Sequence, residues 1–450
     1  MVKFNLTPTD SEAPLHERLA QAINVLIDAG QFKAGDRLPP HRVIAQQAGV
    51  AIGTVTKAID YLSDRGIVRG EVGRGTFVNA KRSSSPSTGE VDLSLSVPPL
   101  YVDEDMFVAA AERSARNVLK IPSGGLYDLK GTFSQRSVMA EWLTKTRVDI
   151  DADDLVLCVG AQQAIHMAFS DVKKVSTLIA CEAPTFSGAI VAANHLGLEL
   201  LPVDHDEEGM TPDALDKALA ETGCRAVYTV PVCQNPLGFE VGETRRRQIL
   251  EVCLRHDACI IEDDIYSVHA AKGRLTYKEL APQQVYFLTS LSKCLTPLAR
   301  VGVMAPPRDR MSSVTKILRA EAFGAPPTAL EFGSSLIELG ADVIAASALR
   351  KEAHARTEMA AKVLKLPSVP MPHGAPHLWL PMSAVDAERL TRRALEQGVR
   401  VTPPEATALK GRRASGVRLC ILAPEHRDDL QRGLTIIAML LNDTSAATIV

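Results

Sequence analysis

Between residues 155 and 293 short apolar runs alternate with helical stretches, and few folds accept that rhythm. The runs are LVLCVG (155 to 160), VYTVPV (227 to 232), ACIIEDD (258 to 264) and VYFLTSLSK (285 to 293), with helical stretches such as Pro212 to Glu221 and Thr244 to His256 between them. Runs of this length, each followed by enough chain for a crossover, predict a mostly parallel sheet wrapped by helices. The fold class is therefore α/β, and such a sheet gathers its functional residues at the carboxyl ends of its strands.

A break in composition precedes this region. Over Lys81 to Glu90, KRSSSPSTGE, serine, proline and glycine replace the periodic apolar residues, as in a flexible connector. The expected organisation is a first domain over 1–80, a linker over 81–92 and a second domain over 93–450, with a large part at about 150–325 and a small part at about 335–450. A net formal charge of −3 and 46% hydrophobic residues exclude a polyanion binder throughout, so any nucleic-acid contact must come from a local patch. The eight cysteines form no CxxC pair, which speaks against a disulfide framework or a metal site and for reduced thiols in the cytoplasm. The opening MVKFNLTPTD is polar, and no run approaches the ~18 apolar residues of a spanning helix, so no membrane partner is expected.

The first domain has its own periodicity. Leu15, Leu19, Ile23, Leu26 and Ile27 form an apolar stripe at helical spacing after Pro14. A helix over about His41 to Ala48 then meets a turn at Gly49. A second helix, about Ile52 to Arg65, turns Val55, Ile59 and Leu62 inward and Thr54, Thr56 and Lys57 outward. A helix-turn-helix needs that division, because the second helix seats its apolar side on the core while polar residues enter the major groove. The tail GIVRGEVGRGTFV reads as a two-stranded wing with Arg74 at its tip. Arg42, Lys57, Arg65, Arg69 and Arg74 are the candidate phosphate contacts.

The second domain carries an aldehyde-cofactor pattern. Pyridoxal phosphate requires a lysine amine, a carboxylate for its ring nitrogen, and amides, hydroxyls and an arginine for its phosphate. Lys293 follows an apolar strand, where desolvation favours the neutral amine. Asp263 ends the run ACIIE; Asp264 competes for the same role, and the three-residue step to Tyr266 favours Asp263. In VGAQQA, Gly160 follows a strand and opens a helix, so free amides face an anion. Ser290, Ser292 and Arg300 add hydroxyls and a guanidinium, and Phe186 in EAPTFSG offers a ring to stack on.

These segments resemble known families. PLxxRLA, GxxLPxxRxxA, TVxxAxxxL and GRGTFV over residues 13–78 are similar to the winged helix-turn-helix domain of the GntR regulators, with Ala51 and Ile52 where Ser and Arg are frequent. From about Leu93 onward the chain resembles a fold-type I aminotransferase. That resemblance implies Lys293 as the Schiff-base lysine, Asp263 on the pyridine nitrogen, Asn235 and Tyr266 on the phenolate oxygen, and Phe186 over the ring. It also implies a phosphate cup of Gly160, Ala161, Gln162, Ser290 and Arg300, Tyr127 reaching the partner subunit's phosphate, and Arg418 clamping a ligand carboxylate. Leu237, Cys294 and Cys420 depart from the usual pattern. The combination resembles the MocR group of bacterial regulators. It implies a domain-swapped homodimer that binds operator DNA and senses an amine or amino acid as an external aldimine of pyridoxal phosphate. The alternatives are a catalytically active aminotransferase with an appended DNA-binding domain, and a cofactor-free scaffold.

Overall fold

The computed structural model describes residues 14–28, 31–32, 35–64, 67–71, 75–78, 89–270, 273–366, 374–410 and 415–446. The chain divides into two compact units, Met1–Gly89 and Glu90–Val450.

The first unit is built from helices α1 (Leu15–Asp28), α2 (His41–Ala48) and α3 (Ile52–Asp64) and a hairpin of β1 (Val68–Glu71) and β2 (Gly75–Val78). Its core joins Leu19 and Ile23 of α1, Ile44 of α2 and Val55, Ile59 and Leu62 of α3. Each helix thus buries the stripe that its 3.6-residue period places on one side. The tight link between α2 and α3 depends on Gly49, which caps α2 at φ 68° and returns its N–H to Ala45 O. The hairpin is tied to the preceding loop through Leu38 N to Thr76 O and Gly35 N to Val78 O, both 2.9 Å. Arg65 and Arg74 lie outside the described residues, as does the side chain of Arg69.

The second unit centres on a seven-stranded sheet. Its strands are β4 (Val156–Val159), β5 (Leu178–Glu182), β6 (Glu199–Val203), β9 (Ala226–Thr229), β10 (Cys259–Asp263), β11 (Val285–Ser290) and β12 (Val301–Ala305), in the order β4-β12-β11-β10-β9-β5-β6. β12 alone runs opposite to the other six strands. Both faces are covered: Val156, Cys158, Tyr228 and Ile261 pack into one apolar cluster, whereas Leu157, Val227 and Ile260 face others. Alternate residues therefore point to opposite faces, yet the strands read as continuous apolar runs because neither face meets water. A small hairpin, β7 (His205–Asp206) with β8 (Gly209–Met210), follows β6.

The C-terminal part of this unit pairs β13 (Leu378–Pro381) with β15 (Gly416–Leu419), and β14 (Val399–Val401) with β3 (Val91–Leu93). The last pairing alters the expected connector over 81–92. Residues 81–88 lie outside the described ones, but Val91 and Asp92 are strand, parallel to Val399 and Arg400. Three residues are too short a period-two pattern to be read as a strand; their backbone partner arrives only three hundred residues later in the chain.

The topology explains where the chemistry collects. β10 ends at Asp263, β11 at Ser290 and β4 at Val159, all at one edge. Because β12 runs the other way, its beginning lies at that same edge and carries Arg300 with it.

Candidate functional site

A cavity of about 570 Å³ opens at this edge. Lys293, Asp263, Asn235, Tyr266, Phe186, Gly160, Ala161, Gln162, Ser290, Arg300 and Arg418 all line it. Tyr127 does not: it ends the short helix Gly125–Tyr127, is 70% exposed, and meets Phe323 edge to face at 6.2 Å.

Asp263 sits at the end of a strand buried from Ile260 onward and is 2% exposed. Its Oδ2 accepts from the Tyr228 hydroxyl at 2.8 Å, whereas Oδ1 has no partner. Burial pushes the carboxyl up to about 7, and the Tyr228 hydrogen bond pulls against that rise. A buried carboxylate with a vacant oxygen needs a donor or a cation to be stable in its charged form. Asp264, the other carboxylate of this motif, is bound elsewhere: Arg147 Nε donates to its Oδ2 at 2.6 Å, with both side chains buried.

The Lys293 amine donates to Ser96 O. Burial pulls its pKa down to about 8; nearby Arg418 and Arg300 act in the same direction, against Cys420. Tyr266 places its Oη 2.9 Å from Ser96 Oγ, and burial raises its pKa well beyond the usual phenol value. Arg418 enters from β15 and is 6% exposed. It donates to Asn235 Oδ1 at 2.6 Å, Ser94 O at 2.7 Å and Thr402 Oγ1 at 3.1 Å. All three acceptors are uncharged.

The turn from β4 into the helix Gly160–Val172 forms another wall of the cavity. Gly160 has φ 71°, so the chain reverses into the helix and leaves its first amides free of intrahelical partners. β12 approaches this turn so closely that a Cβ on Gly302 would lie 2.5 Å from Gly160 C and O. Ser290 Oγ lies 2.8 Å from Val301 O and 3.0 Å from Ser292 Oγ. A carbonyl can only accept, so the Ser290 proton is directed to Val301 O, and across the Ser290–Ser292 contact the Ser292 hydroxyl is then the donor. Arg300 holds φ 51°, a region that costs a non-glycine residue about 1–2 kcal/mol. Such strain gathers at binding sites. Gly188 leaves room for the side chains of Gln162 and Phe186, since a Cβ there would collide with both, and its carbonyl accepts from Gln162 Nε2 at 2.9 Å.

Sequence reasoning missed Ser94, Ser96, Thr402 and Tyr228, because each belongs to the site only through a distant partner. Tyr228 alone had a signal, a polar-tipped ring within an apolar run one strand from Asp263. His377 of the HGAPHLWL segment is fully buried, its Nε2 2.9 Å from Gln234 O, and burial holds it neutral with a pKa near 3. Trp379 packs across Gly416 on the neighbouring strand. Cys294 turns its thiol to Ser290 O at 3.4 Å, away from the cavity, while Cys420 lies 3.7 Å from Ser94 O. The Leu237 backbone N–H donates to Gln234 Oε1 at 2.8 Å, which preserves the turn after Asn235.

In the first unit, α3 presents Thr56 and Lys57 to solvent, with Thr54 half-buried. Arg42 is exposed on α2. Thr56 Oγ1 lies 3.4 Å from His41 Nδ1, which links the start of α2 to the outer face of α3. Ile52 is 49% exposed, so it is not a core residue.

Comparison with known proteins follows the same division. The family described as aminotransferase class I and II matches residues 97–437, and that described as bacterial regulatory proteins, gntR family, matches residues 15–78. The chain is 23% identical over 449 residues to the uncharacterized HTH-type transcriptional regulator YdeF of Bacillus subtilis (strain 168), covering 96% of each chain. It is 24% identical over 333 residues to the probable rhizopine catabolism regulatory protein MocR of Rhizobium meliloti, covering 66% of this chain and 67% of that one. An archaeal alanine:glyoxylate aminotransferase superposes with a TM-score of 0.68 at 20% identity, over 87% of this chain and 95% of that one. At that identity the likeness is one of fold.

Proposed function

The chain belongs to the class I and II aminotransferase family and joins to it a gntR-family domain, as the MocR-type transcriptional regulators do, and from that premise we propose that it senses an amine or amino acid in a pyridoxal phosphate site and answers through DNA. The observation that carries this reading is the pairing, within one cavity, of the unpartnered Asp263 Oδ1 with the buried Lys293 amine. The donor set fits the cofactor. Asp263 would hold the ring nitrogen, Asn235 and Tyr266 the phenolate oxygen, and Phe186 the ring face. The amides of Ala161 and Gln162, with the Ser292 hydroxyl and Arg300, would hold the phosphate, and Ser290, its proton held by Val301 O, would position Ser292 by accepting its backbone N–H at 3.0 Å.

When bound, pyridoxal phosphate supplies an aldehyde that captures primary amines. The rest is done by this chain. Lys293 offers a neutral amine close to physiological pH because burial disfavours its charged form. Tyr228 fixes one oxygen of Asp263 and leaves the other without a hydrogen-bond partner. Arg418, buried among neutral acceptors, favours a ligand that brings a carboxylate. Arg42, Thr54, Thr56, Lys57 and the wing arginines would meet the DNA, the cations on phosphate and the threonines on base edges. The exposed Tyr127 suits a homodimer, domain-swapped at the heads, in which it reaches the partner's phosphate end.

The test is the visible absorption of the protein with pyridoxal phosphate, titrated with amines and amino acids alongside measurement of operator affinity. The expected result is a band that Lys293→Ala lacks and that one ligand class shifts, with a parallel change in DNA affinity. A band that bleaches and returns on adding a keto acid would make the second unit a working aminotransferase. A protein that never develops the band would leave a scaffold.

A further inference from the structure

The segment Ser94–Val97 forms one wall of the cavity and engages its two innermost cations through backbone carbonyls. Arg418 Nη2 donates to Ser94 O at 2.7 Å, and the Lys293 amine donates to Ser96 O. Thr402 Oγ1 also donates to Ser94 O, at 3.1 Å, and Tyr266 Oη lies 2.9 Å from Ser96 Oγ. The segment is held from behind as well. Asp92 Oδ1 accepts from Ser94 N at 2.7 Å and from Ser94 Oγ at 2.6 Å, closing a turn directly after β3.

Each carbonyl stands where a ligand would need a partner. Among the described residues no carboxylate lies within ion-pair distance of Arg418, so its buried charge is met only by neutral oxygens. Hydrogen bonds from a guanidinium to a carboxylate are about twice as strong as those to neutral acceptors. A ligand carboxylate that takes the Nη2 side of Arg418 therefore competes with Ser94 O for that donor. In the same way Lys293 cannot serve Ser96 O once its nitrogen is committed to the cofactor.

We propose that Ser94–Val97 is a latch whose carbonyls imitate the bound ligand, and that a carboxylate arriving on Arg418 displaces it. The inference rests on the sensing function proposed above. It adds the step by which occupancy leaves the cavity. Ser94 follows β3 directly, and β3 begins two residues beyond Gly89, where the first unit ends. Roughly five residues, at most about 17 Å of chain, separate Ser94 from that boundary. β3 is in turn fixed to the C-terminal part by its pairing with β14 and by Cys420 N to Leu93 O at 2.8 Å. A displaced Ser94 thus acts on the strand from which the connector to the DNA-binding unit emerges. Ligand and DNA affinity become coupled if the ligand binds the released arrangement more tightly than the latched one.

The test uses two stable probes that differ only by a carboxymethyl group, pyridoxamine phosphate and phosphopyridoxyl-glycine. Amide hydrogen exchange of the full-length protein is followed across residues 90–98, with binding of each probe monitored by its own fluorescence. With phosphopyridoxyl-glycine bound, exchange in this segment should rise about fivefold over the pyridoxamine phosphate complex, the effect expected for one lost hydrogen bond. Asp92→Ala, which loosens the turn without touching the cavity, should bind phosphopyridoxyl-glycine a few-fold tighter and lose most of the ligand-dependent change in DNA affinity. Ser96→Ala, a smaller change, should shift exchange in the same direction. If both probes bind and the segment exchanges equally in both complexes, the latch is overturned while the sensing function stands. If neither probe binds, the sensing function fails and the latch with it.

Discussion

Asp263 and Asp264 are adjacent in sequence and opposite in fate. Asp264 is neutralised by Arg147 in a buried pair, while Asp263, which lines the cavity, keeps one oxygen without a hydrogen-bond partner. Sequence reasoning favoured Asp263 from its spacing to Tyr266, but Arg147, 117 residues from Asp264, has no local signal of its partnership. Asp263→Asn preserves the shape and removes the charge. Its affinity for pyridoxal phosphate should fall about 10- to 100-fold, the loss expected for one charge-assisted hydrogen bond, as measured by equilibrium titration. Lys293 provides a test in pH. Its ordinary pKa of 10.5 is drawn down to about 8 by burial, and only the neutral amine attacks an aldehyde. The rate of cofactor capture should therefore rise with pH, about tenfold per unit below 8, and level off above it in stopped-flow traces. A rate still climbing steeply at pH 9 would mean that burial does not shift this amine.

At the level of elements, the site depends on a close approach of two strands. Gly302 of β12 is registered against Cys158 of β4, and the turn at Gly160 lies directly over it. Gly302→Ala would force a Cβ to 2.5 Å from the Gly160 backbone and 2.9 Å from Cys158 Sγ. A cost of about 1–3 kcal/mol in thermal or denaturant unfolding is expected, with weaker binding of inorganic phosphate. The GxxxG-free sequence around Gly302 gives no warning of this, since the constraint lies in the opposing strand. In the first unit the reverse holds. The period of α3 announces which residues are buried, and Val55, Ile59 and Leu62 are in the core. Ile52, which stands where Arg is frequent in such domains, is exposed and lies on the outer surface. Lys57→Ala should reduce the salt dependence of operator binding by about one unit of log–log slope, uniformly across DNA sequences. An unchanged slope would remove Lys57 from the phosphate contacts.

For the whole molecule, the second unit carries inside it a buried ion pair apart from the residues that line the cavity. Arg246 and Glu262 are fully buried and 3.0 Å apart, and Glu262 also accepts from the backbone of Tyr277 and Lys278 at 3.0 Å each. Removing one partner strands the other charge, so Arg246→Ala should lower the stability of this unit by about 3–5 kcal/mol in denaturant titration, while the operator affinity of the head is retained. A loss below 1 kcal/mol would mean that Glu262 is accommodated without its arginine. By itself the sequence determined the helix-turn-helix before an α/β body and the lysine, the aspartate and Arg300 of the cavity, while Arg418 came from the resemblance to the aminotransferases. Those properties are written in local period and in motifs a few residues long. Only the tertiary structure decided that Arg418 is held by Asn235, Thr402 and a carbonyl of Ser94 324 residues away, and that β3 belongs to the sheet beside β14. Partners so distant leave no periodicity in the chain, because their pairing is set by burial and by the need of every buried polar group for a hydrogen bond, and these exist only once the fold has closed.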